Sequence, residues 1–190
     1  MKKFIAIAIS SVMVLSLMGC GETAHESGTT INENITLSDD QIAYNGNVVS
    51  VLDSTETSLS KLGKYNKERS SLDNGDYRRF DFGKKYGELL LDTLLYEGKD
   101  LPIYFIVISP KVKTSRNVSI GDTEEDIIAA YGDPTNTKQE NHKYLEYDMG
   151  DYTISFEINT SIEGDEKNKI SSIVYQNDAN YDILLSLPSL

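Results

Sequence analysis

The residue best suited to covalent chemistry in this 190-residue sequence is its one cysteine, Cys20. It follows an uncharged, largely apolar run over residues 4–18, and polar residues come directly after it. Such a position is poor for a core residue, and the chain has no second cysteine with which a disulfide could form. The placement therefore points to modification of the thiol itself.

Residues 1–19 have the pattern of a secretory signal, in which lysines precede a short apolar run. That run has about 15 residues, whereas a membrane-spanning helix needs about 20. The segment LMGC at positions 17–20 resembles the lipobox of bacterial lipoproteins, although Met18 stands where a small residue is usual. The resemblance implies cleavage before Cys20, acylation of its thiol, and anchoring on the extracytoplasmic face of the cell membrane.

The charge of the exported chain limits its partners. Cleavage before Cys20 removes two lysines and no acidic residue, so 16 basic and 30 acidic residues remain and the formal charge is −14. Anionic lipid repels such a domain, and no basic cluster is present that could follow a phosphate backbone. We therefore expect no nucleic-acid partner, with attachment to the membrane through the N-terminal lipid alone.

The other side chains form no catalytic or metal-binding pattern. The two histidines, His25 and His142, do not have the spacing of a zinc site. Residues 73–76 (DNGD) and 165–166 (DE) have the charge of a calcium loop without its spacing. No nucleophile elbow or phosphate loop is present. The sequence thus predicts no catalytic residue, no metal ligand, no cofactor and no enzyme.

The remaining chain divides by composition and by an internal similarity. Residues 20–36 are polar, have no helix or strand period, and are interpreted as the lipidated N-terminus and a flexible tether. Two later segments are similar at a constant offset of 69 residues. This similarity predicts a first α/β repeat over 37–110, a second over 111–176, and a C-terminal tail over 177–190.

Each copy begins with a short strand that leads into a capped helix. In the second copy Thr123 can cap the first turn, acidic residues follow it, and a glycine ends the apolar pattern. The pattern predicts a helix over 123–131. At this offset Leu59 of the first copy is equivalent to Ile128 of the second, and both are expected to be buried against a sheet.

Three antiparallel strands are predicted after each helix. The clearest is 152–158, whose apolar residues alternate with polar ones. Asn45 and Gly46 form a hairpin signal before the first helix. The predicted class is α+β: two tandem repeats, each a short helix, or a helix-loop-helix, packed on an antiparallel sheet of three to four strands.

The second copy also carries a family resemblance. Residues 120–123 (IGDT), residues 131–135 (YGDPT) and the closing strand 170–175 (ISSIVY) resemble the repeat of Gram-positive bacterial lipoproteins with tandem α/β repeats. More distantly, they are similar to the β-lactamase inhibitory protein and to the small lipoprotein of the outer-membrane barrel-assembly machine. The resemblance implies helices on one sheet face, with the other face or the loops gripping a protein partner. It carries no catalytic residue.

The 12 tyrosines are the last candidate residues for contact with a partner molecule. Tyr144, Tyr147, Tyr152 and Tyr175 fall on predicted strands, where packing within the sheet is one interpretation. The other is that several line an uncovered face and contact a protein or a glycan. A contiguous exposed tyrosine patch would favour the second.

Two functions remain open. The first is a membrane-anchored, protein-interaction or inhibitor-like binding module whose partner is another envelope protein. The alternative is an extracytoplasmic enzyme or solute-sensing lipoprotein that acts on cell-wall or small-molecule ligands. The lack of a nucleophile or metal pattern favours the first, and a pocket with converging carboxylates would favour the second.

Overall fold

The computed structural model describes residues 36–187, with the exception of positions 74, 86 and 162. The predicted signal peptide, the predicted lipidation site Cys20, nearly all of the predicted tether and His25 lie outside the described residues. Among the described residues, no helix has both the length and the apolar character needed to cross a membrane. The predicted α+β class is confirmed, since the described part of the chain forms three helices, a seven-stranded antiparallel sheet and a two-stranded antiparallel sheet.

Twelve helices and strands follow one another along the described chain. In chain order they are β1 (Gln41–Tyr44), β2 (Asn47–Ser50), α1 (Thr55–Leu62), β3 (Tyr77–Phe82), β4 (Leu89–Tyr96), β5 (Lys99–Val107), α2 (Glu124–Tyr131), β6 (Asn136–Gln139), β7 (Lys143–Asp148), β8 (Tyr152–Ile158), β9 (Ile170–Asn177) and α3 (Asp178–Ser186).

The large sheet has the strand order β3-β4-β5-β9-β8-β7-β6, and all of its pairs are antiparallel. The strands that follow α1 and those that follow α2 therefore meet at the β5–β9 pair in the middle of the sheet. The tandem repeat itself stays a prediction. The hairpin β1–β2 forms a separate sheet with its turn at Asn45 and Gly46, as predicted, and both turn residues have positive φ.

The helices α1 and α2 both begin at a hydroxyl cap and end at a glycine. The Ser54 hydroxyl accepts the Thr57 N–H, and Thr123 and Asp126 form a reciprocal capping box. Gly63 and Gly132, at φ 76 and 80, end the two helices. The bounds of α1 and α2 differ by 69 residues at each end. The helix predicted over 123–131 is confirmed as α2, with Thr123 as its cap.

The inner face of the large sheet carries the core. A continuous row of buried side chains crosses six neighbouring strands, from β3 through β4, β5, β9 and β8 to β7. The row consists of Phe80, Leu91, Phe105, Tyr175, Ile154 and Tyr147. The hairpin and α2 add apolar side chains to the same core, and Leu59 and Leu62 of α1 pack at its margin.

The expectation that Ile128 is buried is wrong, and the same expectation for Leu59 is met only in part. Ile127 is 0% exposed, whereas Ile128 is 38% exposed. In α1 the fully buried residue 69 positions before Ile127 is Ser58, and Leu59 is only partly buried at the edge of the core. The sequence pattern allowed both isoleucines on one stripe, and the core encloses only the first of them.

Three further expectations differ from the structure. Residues 118–120 form no strand before α2, only one isolated bridge from Lys113 to Ser119. Strand β6 was not predicted, because all four of its residues are exposed and polar. The segment 177–190, interpreted as a tail, contains the helix α3, whose N-cap is Asn177.

Candidate binding site

The outer face of the large sheet is the first candidate surface. The aligned side chains of Glu146, Ser155, Val174 and Ile106 lie on β7, β8, β9 and β5, respectively, and all four are half-buried. Helix α3 lies against β5, β8 and β9. This face is a mixed polar and aliphatic surface that one short helix partly covers.

The tyrosines do not form an exposed patch on this face. Tyr147, Tyr152 and Tyr175 are buried in the core, which confirms the packing interpretation for these three. Tyr144 is half-buried on the outer face opposite Glu157. No tyrosine among the described residues is fully exposed.

A polar cluster on β3, β4 and β5 is a structural network. The Arg79 guanidinium donates two hydrogen bonds of 2.7 Å to the carboxylate of Asp92, and the Tyr77 hydroxyl donates a third of 2.5 Å. Tyr104 lies beside this cluster, and its ring contacts that of Tyr181 from α3. Burial, and then the bond to Asp92, raises the pKa of Tyr77. The phenol therefore stays neutral and acts as a hydrogen-bond donor.

A second surface is a groove between the N-terminal ends of α1 and α3 and the start of β5, which we call the α1–α3 groove. Its volume is about 790 Å³, within the range of about 300–1,000 Å³ typical of ligand sites. The lining consists of Leu52, Asp53, Ser54, Thr55, Glu56, Leu59, Lys99, Asp100, Leu101, Pro102, Asn177, Ala179 and Asn180.

Two asparagines hold the walls of the α1–α3 groove together. The Asn177 side-chain amide donates to the Val51 carbonyl at 3.2 Å, which joins α3 to the segment that precedes α1. The Asn180 amide donates to the Pro102 carbonyl at 2.8 Å, which joins α3 to β5. The groove is therefore built from three chain segments that are far apart in sequence.

The charges that line the α1–α3 groove are partly neutralised within the protein. Asp53 forms a 2.7 Å ion pair with Lys61. Asp100 accepts two bonds, of 2.9 and 3.1 Å, from Arg78. Lys99 and Glu56 are the exposed charged residues that remain in the lining.

Four buried polar atoms near this groove have no hydrogen-bond partner among the described residues. The first is the hydroxyl of Thr55, a residue that is 3% exposed and is one of the residues that line the groove. The Ser58 hydroxyl lies one turn further along α1. The other two atoms are the Thr93 hydroxyl and the Arg78 Nε. Thr93 of β4 lies opposite Arg78 of β3 on one side and opposite Pro102 of β5, a groove residue, on the other. Since most buried polar groups are paired, this concentration is unusual.

A smaller groove of about 430 Å³ lies beside α2 and the loop before it. There Arg116 binds Asp39 through three contacts, the shortest 2.6 Å, and stacks on the Tyr131 ring at 4.6 Å. It also donates to the Ala130 carbonyl in the last turn of α2. The hydrogen bonds from Arg116 lower the pKa of Asp39. This arrangement fastens the start of the folded domain to α2.

The other residues singled out from the sequence are not brought together. His142 is half-buried with its Nε2 3.7 Å from a Glu157 carboxylate oxygen. The carboxylates at 165 and 166 lie on an exposed loop. No group of three or more metal-ligating residues occurs among the described residues.

Sequence reasoning missed the α1–α3 groove entirely. Its walls come from residues 52–59, 99–102 and 177–180, and no local pattern links these segments. The one available signal was the pair of asparagines at 177 and 180, since Asn177 caps α3 by accepting the Asn180 N–H.

No protein-family model matches the chain, and no curated protein matches it. Among solved structures, the chain is similar to a DUF4309 family protein (YjgB) from Bacillus subtilis, a Gram-positive bacterium. The identity is 10%, the match covers 80% of this chain and 83% of that chain, and the TM-score is 0.43. At that TM-score, no function is transferred from that protein.

Proposed function

We propose that this protein is a lipid-anchored, extracytoplasmic module that binds another envelope protein through its folded domain. Cys20 carries the lipid, and the tether places the domain clear of the membrane surface. The observation that supports binding is the α1–α3 groove, in which the side chains of Leu52, Leu59 and Leu101 lie among polar and charged ones. A combination of apolar surface and a few placed polar groups is typical of recognition sites.

Anchoring is tested by the variant Cys20→Ala. A metabolic fatty-acid probe should label the wild-type chain and leave the variant unlabelled. The variant should then be retained as a precursor or released from the membrane. Equal labelling of both chains would overturn the lipid anchor.

Partner binding is tested by photo-crosslinking in living cells. A benzophenone amino acid at Leu52, which is 44% exposed at the groove, should give an adduct of one defined mass. The same group at Glu166, on an exposed loop, is the matched control and should give none. A third position, Ser155, probes the outer sheet face. The absence of a specific adduct at both Leu52 and Ser155 would contradict the proposal.

The second candidate is a solute-sensing lipoprotein or enzyme that acts on cell-wall fragments or small molecules. The volume of the α1–α3 groove favours it, since about 790 Å³ is within the range of small-molecule sites. A thermal-shift screen with wall fragments distinguishes the two functions. A fragment that stabilises the protein and abolishes the Leu52 adduct would favour solute binding.

A further inference from the structure

One leucine of the α1–α3 groove is held at the surface by the turn before α1. Leu52 is 44% exposed, and its N–H donates to the Ser50 hydroxyl at 3.0 Å. The Ser50 N–H donates to the Asp53 carboxylate at 3.0 Å, and the Asp53 N–H donates to the Ser50 carbonyl at 3.1 Å. These bonds fix the backbone at Leu52, so a partner can cover the side chain without first ordering the turn.

The exposed leucine belongs to a larger apolar part of the lining. Leu59 of α1 and Leu101 of β5 are partly buried and line the same groove. Pro102 and Ala179 add to this apolar surface. The surface is concave and already formed in the protein alone. It therefore suits the aliphatic side chains of a partner, because their contact with it removes apolar area from water.

Two carboxylates of the lining have cationic partners that do not line the groove. Asp53 forms its ion pair with Lys61, at 2.7 Å. Asp100 forms its ion pair with Arg78, at 2.9 Å. Neither Lys61 nor Arg78 is among the described residues of the lining. An occupant of the groove is thus in contact with the two acidic residues and not with their partners, which favours a basic side chain over an acidic one.

The third carboxylate, that of Glu56, is unpaired. Glu56 is exposed in the first turn of α1, and no ion pair to it occurs among the described residues. In the described lining, Lys99 is the one cation beside three carboxylates. Acidic residues in the first turns of α1 and α3, Glu56 and Asp178, offset the positive ends of the two helix dipoles. The charge of the groove is therefore complementary to a basic partner.

We propose that the α1–α3 groove binds a basic, aliphatic segment of another envelope protein. An aliphatic side chain of that segment packs against Leu52, Leu59 and Leu101, and a lysine or arginine next to it pairs with Glu56. The aliphatic contact provides most of the affinity, and the charge selects a basic segment over an acidic one. This inference rests on the proposed protein-binding function and assigns it a site and a partner chemistry.

The test uses the full chain in mild detergent and fluorescence anisotropy of labelled peptides of one length. Their apolar positions are leucine or serine, and their charged positions are lysine, glutamine or glutamate. The Leu/Lys peptide should bind about 3-fold more tightly than the Leu/Gln peptide. It should bind at least about 10-fold more tightly than the Leu/Glu and Ser/Lys peptides. Equal binding of the Leu/Lys and Leu/Glu peptides, or no binding at millimolar peptide, would overturn the inference.

Two variants locate the site, each with a matched control. Glu56→Gln should weaken binding of the Leu/Lys peptide about 3-fold and reduce its salt dependence. Its control is Glu125→Gln, at the exposed position of α2 that lies 69 residues further along the chain. Leu52→Ser should weaken binding about 5-fold to 10-fold, and its control is Leu185→Ser on α3, where the leucine is 64% exposed. Both controls should bind as the wild type does. A control that weakens binding as much as its partner variant would show attraction by overall charge or apolar surface, and would contradict the assignment.

The two proposals fail separately. If no peptide binds while the Leu52 benzophenone still captures one partner in cells, the basic, aliphatic ligand is wrong and the protein-binding function stands. If the Leu/Lys peptide binds while neither Leu52 nor Ser155 captures a protein, the groove chemistry stands and the protein-binding function is overturned.

Discussion

At the scale of single residues, two fully buried carboxylates shape the β3–β4 edge of the large sheet. Asp81 and Asp92 are both 0% exposed. Asp81 accepts two bonds from Arg69, at 3.1 and 3.2 Å, and Asp92 accepts two from Arg79 at 2.7 Å. A buried charge is tolerated only when it is paired and hydrogen-bonded. Each arginine is therefore required mainly because its aspartate is present.

The first prediction removes one partner of the stronger pair. Arg79→Leu leaves Asp92 buried with only the Tyr77 hydroxyl as a side-chain donor, and should lower the free energy of unfolding by about 3 kcal/mol. The double variant Arg79→Leu with Asp92→Leu removes both charges and should recover most of that loss. Urea denaturation of the wild type, the two single variants Arg79→Leu and Asp92→Leu, and the double variant measures these free energies of unfolding. A double variant as unstable as the single one would show that the pair is net stabilising.

The second prediction concerns the Asp39 contact and pH. Hydrogen bonds from Arg116 lower the pKa of Asp39 in the folded state, so the folded protein binds fewer protons there than the unfolded chain does. The stabilisation from the Asp39 carboxylate is complete above the pKa of about 3.9 that an aspartate has in the unfolded chain. It is lost as the pH falls through the lowered pKa of Asp39 in the folded protein.

Asp39→Asn should therefore lower the free energy of unfolding by about 1 kcal/mol at pH 7, because the pair is partly exposed. The difference from the wild type should shrink as the pH falls below about 4 and through the lowered folded pKa. Urea denaturation at several pH values measures it, with the exposed Asp182→Asn as the control. A difference that does not change with pH would contradict the ion-pair explanation.

At the scale of secondary structure, the third prediction concerns the face that α2 packs against the core. Ile127 is fully buried and its neighbour Ile128 is 38% exposed. Ile127→Ala should lower the free energy of unfolding by about 3 kcal/mol, because it leaves a cavity in the core. Ile128→Ala is the matched control and should cost under about 1 kcal/mol. Urea denaturation measures both, and equal losses would mean that α2 is rotated on the core.

The elements that the sequence predicted are those with strong local signals. Both helix starts have a hydroxyl cap, the hairpin has Asn45 and Gly46, and β8 alternates strictly between buried and half-buried residues. Each of these signals depends only on residues within a few positions of one another. Local backbone preference and hydrophobic pattern therefore suffice to predict these elements without knowledge of distant contacts.

The elements that the sequence missed depend on distant contacts. Strand β6 has no buried residue and is defined by its pairing with β7. Helix α3 also has no fully buried residue. It is held by the hydrogen bond from the Asn180 amide to the Pro102 carbonyl and by the contact between the Tyr181 and Tyr104 rings. Which of the two isoleucines of α2 is buried also depends on distant contacts, because one apolar stripe of a helix can contain both. Only the packing of the helix on the rest of the fold decides between them.

At the scale of the whole molecule, the α1–α3 groove shows why a site can escape sequence analysis. Its walls join residues near 52, 99 and 177, and the pairing of β5 with β9 is what brings the last two together. The unpartnered state of the Thr55 hydroxyl is likewise a property of the folded surroundings. Neither feature leaves a spacing or a motif in the chain.

The same β5–β9 pair joins the two halves of the fold. Phe105 of β5 is fully buried and lies opposite Tyr175 of β9, in the middle of the row that crosses six strands. Because that row is one continuous core, the strands after α1 and those after α2 should unfold together. Two weakly coupled halves would instead lose structure separately.

The last prediction tests this coupling with Phe105→Ala, which should lower the free energy of unfolding by about 3 to 5 kcal/mol, out of a total of about 5–15 kcal/mol for a domain of this kind. Amide hydrogen exchange should show equal losses of protection in β4 and in β8, because both strands exchange through the same global opening. Ile108→Ala, an exposed change just after β5, is the control and should leave both unaffected. Protection that falls in β4 while β8 keeps its wild-type value would mean that the sheet consists of two independent halves.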